Sequence, residues 1–276
     1  MKLLKDKFNQ LLALVLLAGM ITYTGCSDSN LIDSKSGMGT LEVRLHDAPA
    51  NYDEVNIFIE RVEVNNSEND EEWQVISEPQ EQFNLLELTN GVFEVIGSTE
   101  LEAGFYPQIR LILSRDNNNI VIDGEEHNLF IPSGAQTGVK LNVDAEIEDG
   151  IQYTLLLDFD AMRSVVKTGQ AAFPGYLLKP VIRATNASIT GNIGGTILPV
   201  EARAAIYAIS GSDTLSTTFA DTTNGEFLLV GLPDGSYDVS VEPRTEEYDG
   251  TILPDVEVEV GETTDLETIE LEPATE

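Results

Sequence analysis

The sequence is short of bases, thiols and imidazoles. Among 276 residues there are 15 Lys and Arg against 48 Asp and Glu, a formal charge of −33. Such a chain has no basic face from which to displace the counterions of a nucleic acid, which excludes nucleic-acid partners. One cysteine, Cys26, permits no internal disulfide. Two histidines, His46 and His127, stand far apart without HExxH or HxH spacing, and the patterns around them place both on solvated faces. No GxSxG elbow is present. The glycine-containing stretch from 132 to 138 lacks the Lys-Ser/Thr ending of a phosphate loop and reads as a wide turn. Nor does any segment of ten or more residues keep a 3.6 period. What is present is 42 % hydrophobic residues with 10 Phe, 8 Tyr and 22 Gly, too apolar for a disordered acidic tail. The chain folds, as one or two domains.

The first 25 residues read as a signal peptide. Lys2, Lys5 and Lys7 precede the apolar run LLALVLLAGMI at 11 to 21, too short to span a bilayer but suited to a signal-peptide core. Tyr23-Thr24-Gly25-Cys26 then resembles a bacterial lipobox, which makes Cys26 the expected lipidation site and accounts for a lone cysteine in a secreted chain. Each buried CH₂ of an acyl chain adds about 0.8 kcal/mol to membrane attachment, so several chains on one residue anchor permanently. Residues 26 to 38 form the lipidated tether, a Ser, Asp and Gly-rich spacer. The expected place is the cell envelope, at the outer membrane or cell surface, with contact to the membrane through the anchor only.

From Gly39 the period becomes two. Leu41, Val43 and Leu45 alternate with polar neighbours until Asp47-Ala48-Pro49 stops the strand. Val55, Ile57 and Ile59 alternate, then the apolar set slips to Val62 and Val64, which predicts a bulge near Glu60 and Arg61. Asp123-Gly124 predicts a tight hairpin. Ile151, Tyr153, Leu155, Leu157 and Phe159 share one face of a long strand whose other face carries Asp158 and Asp160. Phe83 to Asn90 has room for a turn or two of helix at most.

Several phrases of this region, in order, are similar to a known family: LHDAP at 45 to 49, WQVI at 73 to 76, FNLLELTNG at 83 to 91, AGFYPQIRL at 103 to 111, IPSGAQTGVKL at 131 to 141, LDFDAMRSV at 157 to 165 and YLLKPVIR at 176 to 183. They resemble the DUF4382 family of bacterial and archaeal envelope proteins over about 39 to 186. The resemblance implies a β-sandwich in secreted lipoproteins and brings no activity with it.

After residue 187 the blocks Asn224-Gly225-Glu226-Phe227 and Gly231 to Val239, with the strands 189 to 193, 204 to 209 and 256 to 260, resemble a carboxypeptidase regulatory-like domain of transthyretin-like topology. The pattern agrees: Asn224-Gly225 and Pro233-Asp234-Gly235 are turns, Phe227 and Leu229 point inward, and Tyr237, Val239 and Val241 line one strand face. Seven short strands are expected. The resemblance implies a non-catalytic spacer, dimerisation surface or weak ligand binder. Residues 184 to 276 contain no lysine, which excludes the Lys–Asn isopeptide crosslink of some related surface modules. The expected architecture is therefore all-β, with two sandwich domains at 39 to 187 and 188 to 274 behind signal peptide and tether.

Chemistry is sparse. Asp158 and Asp160 project from one strand face about 7 Å apart, at ~3.4 Å per residue, and with Asp47 they are the candidate calcium ligands. The competing expectation pairs Asp158 with Arg110, Lys179 or Arg183. No cofactor other than calcium and no catalytic residue is expected. The acidity, spread over both halves, suits saline surroundings. The leading function is a non-enzymatic, lipid-anchored envelope module that binds a glycan or another envelope protein, or acts as a spacer. The alternatives are a calcium-dependent adhesion or matrix component and, third, a carbohydrate-active enzyme using two carboxylates.

Overall fold

Strand follows strand because β-branched and aromatic residues alternate with polar ones between Gly, Asn, Asp and Pro turns. The computed structural model describes residues 37–66, 73–132, 137–169 and 175–274. The signal segment and Cys26 lie outside the described residues, as does the middle of the turn at 132 to 138.

In chain order the first half contains β1 (Met38–Ala48), β2 (Glu54–Asn65), β3 (Trp73–Ser77), β4 (Glu81–Asn84), β5 (Glu94–Glu102), β6 (Gly104–Leu113), β7 (Asn119–Ile122), β8 (Glu125–Phe130), β9 (Val139–Ile147), β10 (Gln152–Asp160), the one-turn helix α1 (Ala161–Ser164), β11 (Val165–Lys167), β12 (Tyr176–Leu178) and β13 (Ile182–Asn186). One sheet has the order β13-β10-β1-β5, with β1 and β10 parallel. In the other, β2 is the spine: its start pairs with β7 and β4 and its end with β6 and β3. The register of β2 against β6 shifts between Ile59 and Arg61, where the slipped alternation predicts a bulge. Asp123 and Gly124, both at positive φ, close the β7–β8 hairpin. Phe83 to Asn90 holds only a short 3₁₀ turn at Leu85–Glu87. Leu41, Val43, Leu45, Ile57, Ile59, Leu155, Leu157 and Phe159 fill the space between the sheets and are fully buried. Each such side chain contributes about 1.5–3 kcal/mol by leaving water.

The second half contains β14 (Thr190–Leu198), β15 (Ala205–Ser210), β16 (Asp213–Phe219), β17 (Glu226–Pro233), β18 (Gly235–Glu242), β19 (Thr251–Val258) and β20 (Thr263–Glu270). The sheet β17-β14-β20 faces the sheet β16-β15-β18-β19 over a separate core of Ile193, Ile206, Phe227, Leu229, Tyr237, Val239 and Val241. Phe227, Leu229, Tyr237, Val239 and Val241 point inward as their alternation predicts.

Both cores belong to one compact unit, residues 36–276. Asn90, held in the left-handed region at φ 55°, inserts its amide between the halves. Its Oδ1 accepts from Leu228 N–H at 2.5 Å and its Nδ2 donates to Glu226 O at 3.3 Å. The side chain thereby supplies β17 with the donor and acceptor that a further strand would offer.

Candidate functional site

The parallel register of β1 on β10 sets His46 opposite Asp158 and Ala48 opposite Asp160. The three candidate carboxylates Asp47, Asp158 and Asp160 therefore meet at one corner of the first half. His46 overturns its expected exposure: it is 3 % exposed. Alternation aimed it at solvent, but that face of β1 is covered by the loop carrying Gly91 and by β17. Gly91 N–H donates to His46 Nε2 at 3.4 Å, which leaves the ring hydrogen on Nδ1, 3.3 Å from Asp158 Oδ1. Gly91 sits at φ +82°, and a Cβ there would meet the side chain of Leu228 at 2.6 Å, so only glycine brings that N–H to the ring. His127 is half-buried and packs beside Tyr176.

Asp158 Oδ2 accepts from Arg183 Nη2 at 3.1 Å, across the Asp158–Arg183 register of β10 and β13. Of the three bases proposed as its partner, Arg183 is the one that holds it. Asp160 caps α1 by accepting from Arg163 N–H at 2.8 Å, and burial raises its pKa. Asp47 Oδ1 accepts from Ala161 N–H at 3.0 Å, while its Oδ2 is buried without a partner. Burial pushes the Asp47 carboxyl well above the usual carboxylate range, and the charges of Asp158 and Asp160 push it further. All three carboxylates are thus engaged in holding β1, β10, β13 and α1 together. Among the described residues no group of three or more His, Cys, Asp or Glu side chains is arranged to hold a metal ion.

Beside this corner, where the halves meet, lies a cleft of about 470 Å³. Ala48, Asp160 and Arg163 line one wall, and Tyr207, Thr217 and Arg244 line the other. Tyr207 on β15 pairs directly with Thr217 on β16. The Arg244 guanidinium lies 4.2 Å from the centre of the Phe219 ring and donates to Asn51 Oδ1. Arg244 and Arg203 are the only bases after residue 183. The backbone brings them together: Arg203 ends the 3₁₀ turn Val200–Ala202 in the left-handed region, and Arg244 N–H donates to Ala202 O at 2.9 Å. Burial, and after it the nearby positive charge of Arg203, lower the Arg244 pKa.

Arg44, Arg61, Arg110, Arg115, Arg163 and Arg183 each have a carboxylate within 4 Å. Among the described residues Arg203 and Arg244 have none. A neighbouring groove of about 670 Å³ differs: carboxylates Asp144, Glu146 and Glu148 line it, and its one base, Arg183, is already paired. Sequence reasoning passed over Arg203, Tyr207, Phe219 and Arg244. The signal that would have found the arginines is their solitude in an acidic half.

A model for a family described as a domain of unknown function, DUF4382, matches residues 38–180. The chain belongs to the DUF4382 family. The DUF4382 match takes in β1 to β12 and with them Asp47, Asp158 and Asp160, while Arg183, Arg203 and Arg244 lie beyond it. No curated protein matches this chain. Among solved structures it is similar to the Bacillus anthracis TIE protein at 11 % identity, over 86 % of this chain and 34 % of that one, with a TM-score of 0.24. It is similar to GBS52, the minor pilin of Streptococcus agalactiae, at 11 % identity over 85 % and 97 %, TM-score 0.24. To the major pilin T-13 of Streptococcus pyogenes the identity is 7 % over 87 % and 100 %, TM-score 0.18. The chain thus spans about a third of the TIE protein's length, and likenesses at these scores support no functional argument. No helix among the described residues is long and apolar enough to cross a membrane.

Proposed function

We propose that this protein is a non-enzymatic binding module of the cell envelope, held to a membrane by lipid on Cys26, that takes its ligand in the cleft between its two halves. In this reading the DUF4382 domain forms one wall. The second half, read as a carboxypeptidase regulatory-like module of transthyretin-like topology, forms the other and acts as support. The observation that carries the reading is the division of labour around the cleft. The carboxylates that chemistry would need are tied into the fold at Arg183, His46, Arg163 and Ala161. Asp158, Asp160, Arg163 and Arg183 also border the space, but they are paired with one another, and the groups left open are hydroxyls, aromatic rings and Arg244, which has no carboxylate within 4 Å among the described residues. Such a surface recognises rather than reacts.

The test is fractionation of cells making the full chain or Cys26→Ala, with protease added to intact and to broken cells. The parent is expected in the membrane fraction, labelled by a palmitate analogue, and the variant unlabelled and released or unprocessed. A variant that stays membrane-bound and labelled overturns the anchor. Cleavage on intact cells directs the search for a ligand to the outside of the cell. Protection until the envelope is broken places the ligand within it.

A further inference from the structure

We propose that the cleft binds the carboxylate of an acidic saccharide, with Arg244 receiving the charge and Tyr207 and Thr217 receiving the sugar. This rests on the binding-module reading above and names the ligand class of the same cleft.

The argument starts from the count. Beyond residue 183 the chain has nineteen carboxylate side chains and two bases. Carboxylates at that density give an arginine a partner almost wherever it stands, and the other six arginines have one. Among the described residues Arg244, held by its backbone N–H on the Ala202 carbonyl, instead borders the cleft with no carboxylate within 4 Å. The Arg244 guanidinium thus borders the cleft with an aromatic face and an amide oxygen as its partners, and an anion in the cleft would supply the carboxylate it lacks.

The kind of anion follows from the surroundings. A guanidinium presents a planar fork that matches two carboxylate oxygens. The rest of the wall is hydroxyl and ring. Tyr207 is half-buried, and among the described residues neither its hydroxyl nor that of Thr217 has a hydrogen-bond partner. Hydroxyls that both donate and accept, beside an aromatic face, suit a polyhydroxylated ring with an apolar C–H surface. Asp160 on the facing wall is a further acceptor for sugar hydroxyls. The volume, about 470 Å³, falls within the range of roughly 300–1,000 Å³ seen for small-molecule sites.

The experiment is calorimetric titration of the detergent-solubilised full chain with four probes: trigalacturonic acid, neutral galactotriose, a sulfated galactotriose and trialanine. Trigalacturonic acid is expected to bind at least about ten times more tightly than the other three, and less tightly as salt rises. Arg244→Gln is expected to weaken it about 10- to 100-fold, the loss of a charge-assisted hydrogen bond, and Tyr207→Phe several-fold, with melting temperatures within a few degrees of the parent's. Equal binding of galactotriose removes the role of charge. Tighter binding of the sulfated trimer or of trialanine assigns the cleft to another anion or to peptide ends. Each of these three results overturns the acidic saccharide and leaves the binding-module reading in place. Binding by none of the four, or an unaltered affinity in Arg244→Gln, also overturns it. The anchoring half of the proposed function fails on a separate readout, the fractionation of Cys26→Ala.

Discussion

The two walls of the cleft handle charge in opposite ways. On the DUF4382 side Asp158 is shared by Arg183 and His46, Asp160 caps a helix, and Asp47 is buried against a backbone N–H. On the other side Arg244 borders the cleft with no carboxylate within 4 Å among the described residues, although carboxylates outnumber bases more than threefold in the chain. Paired charges in a buried corner fix the geometry of strands. Arg244 at the opening has an aromatic face and an amide oxygen as its partners within the protein, so a charged partner is left to what enters the opening. The contrast separates residues that build the site from residues that would serve it.

The comparison can be broken by experiment. The largest effect is expected under the paired corner. Phe159, fully buried between Asp158 and Asp160 in sequence, leaves a cavity as alanine, and Phe159→Ala should cost about 3–5 kcal/mol in urea unfolding. Next is Arg183→Met, which strands Asp158 and His46 in a corner where Asp158 has 13 % of its side chain exposed. The expected loss is about 2–3 kcal/mol, somewhat under the ~3–5 of a fully buried pair. A loss below about 0.5 kcal/mol would mean that the paired wall is no more structural than the other.

A smaller effect, with a sign that depends on pH, is expected at Asp47. Its folded pKa is raised by burial above the unfolded value. The stability that this carboxyl contributes is therefore complete below the ordinary carboxylate range and is lost as pH rises through that range towards the folded pKa. Asp47→Asn keeps an oxygen for Ala161 N–H and removes the titration. Its urea midpoint should gain on the parent between pH 4 and pH 8; a gap that stays constant with pH would show that Asp47 is not held protonated by the fold.

The smallest effect is expected on the open wall. Arg244→Gln gives up a contact over the Phe219 ring and a hydrogen bond to Asn51, and its unfolding free energy should change by no more than about 0.5–1 kcal/mol. Destabilisation as large as that of Arg183→Met would erase the distinction between the walls.

Much of the scaffold was legible because period-two alternation reports directly which residues leave water. Leu41, Val43 and Leu45, the bulge beyond Ile59, the hairpin at Asp123-Gly124, and the inward Phe227, Leu229, Tyr237, Val239 and Val241 all follow from local pattern. The salt bridge of Asp158 was readable as one of three pairings, since bases are scarce; the β10–β13 register selects Arg183. His46 was misjudged for a definite reason. Alternation assumes one covered face per strand, and at His46 the second half covers the other. The open wall was not legible as a site. Tyr207, Thr217 and Arg244 come from two strands and a loop, and no spacing in the sequence records that they converge.

The sequence by itself determined that the chain is almost all β, where its core residues lie, that it belongs with DUF4382 proteins, and that few bases serve many acids. These are local or compositional properties, written in the alternation of side chains and in residue counts. Only the tertiary structure decided which acid meets which base. Charge pairing and cleft formation depend on the parallel register of β1 on β10 and on the docking of two separate cores through Asn90. Contacts between residues more than a hundred positions apart are fixed by packing, for which no short window of sequence holds the record.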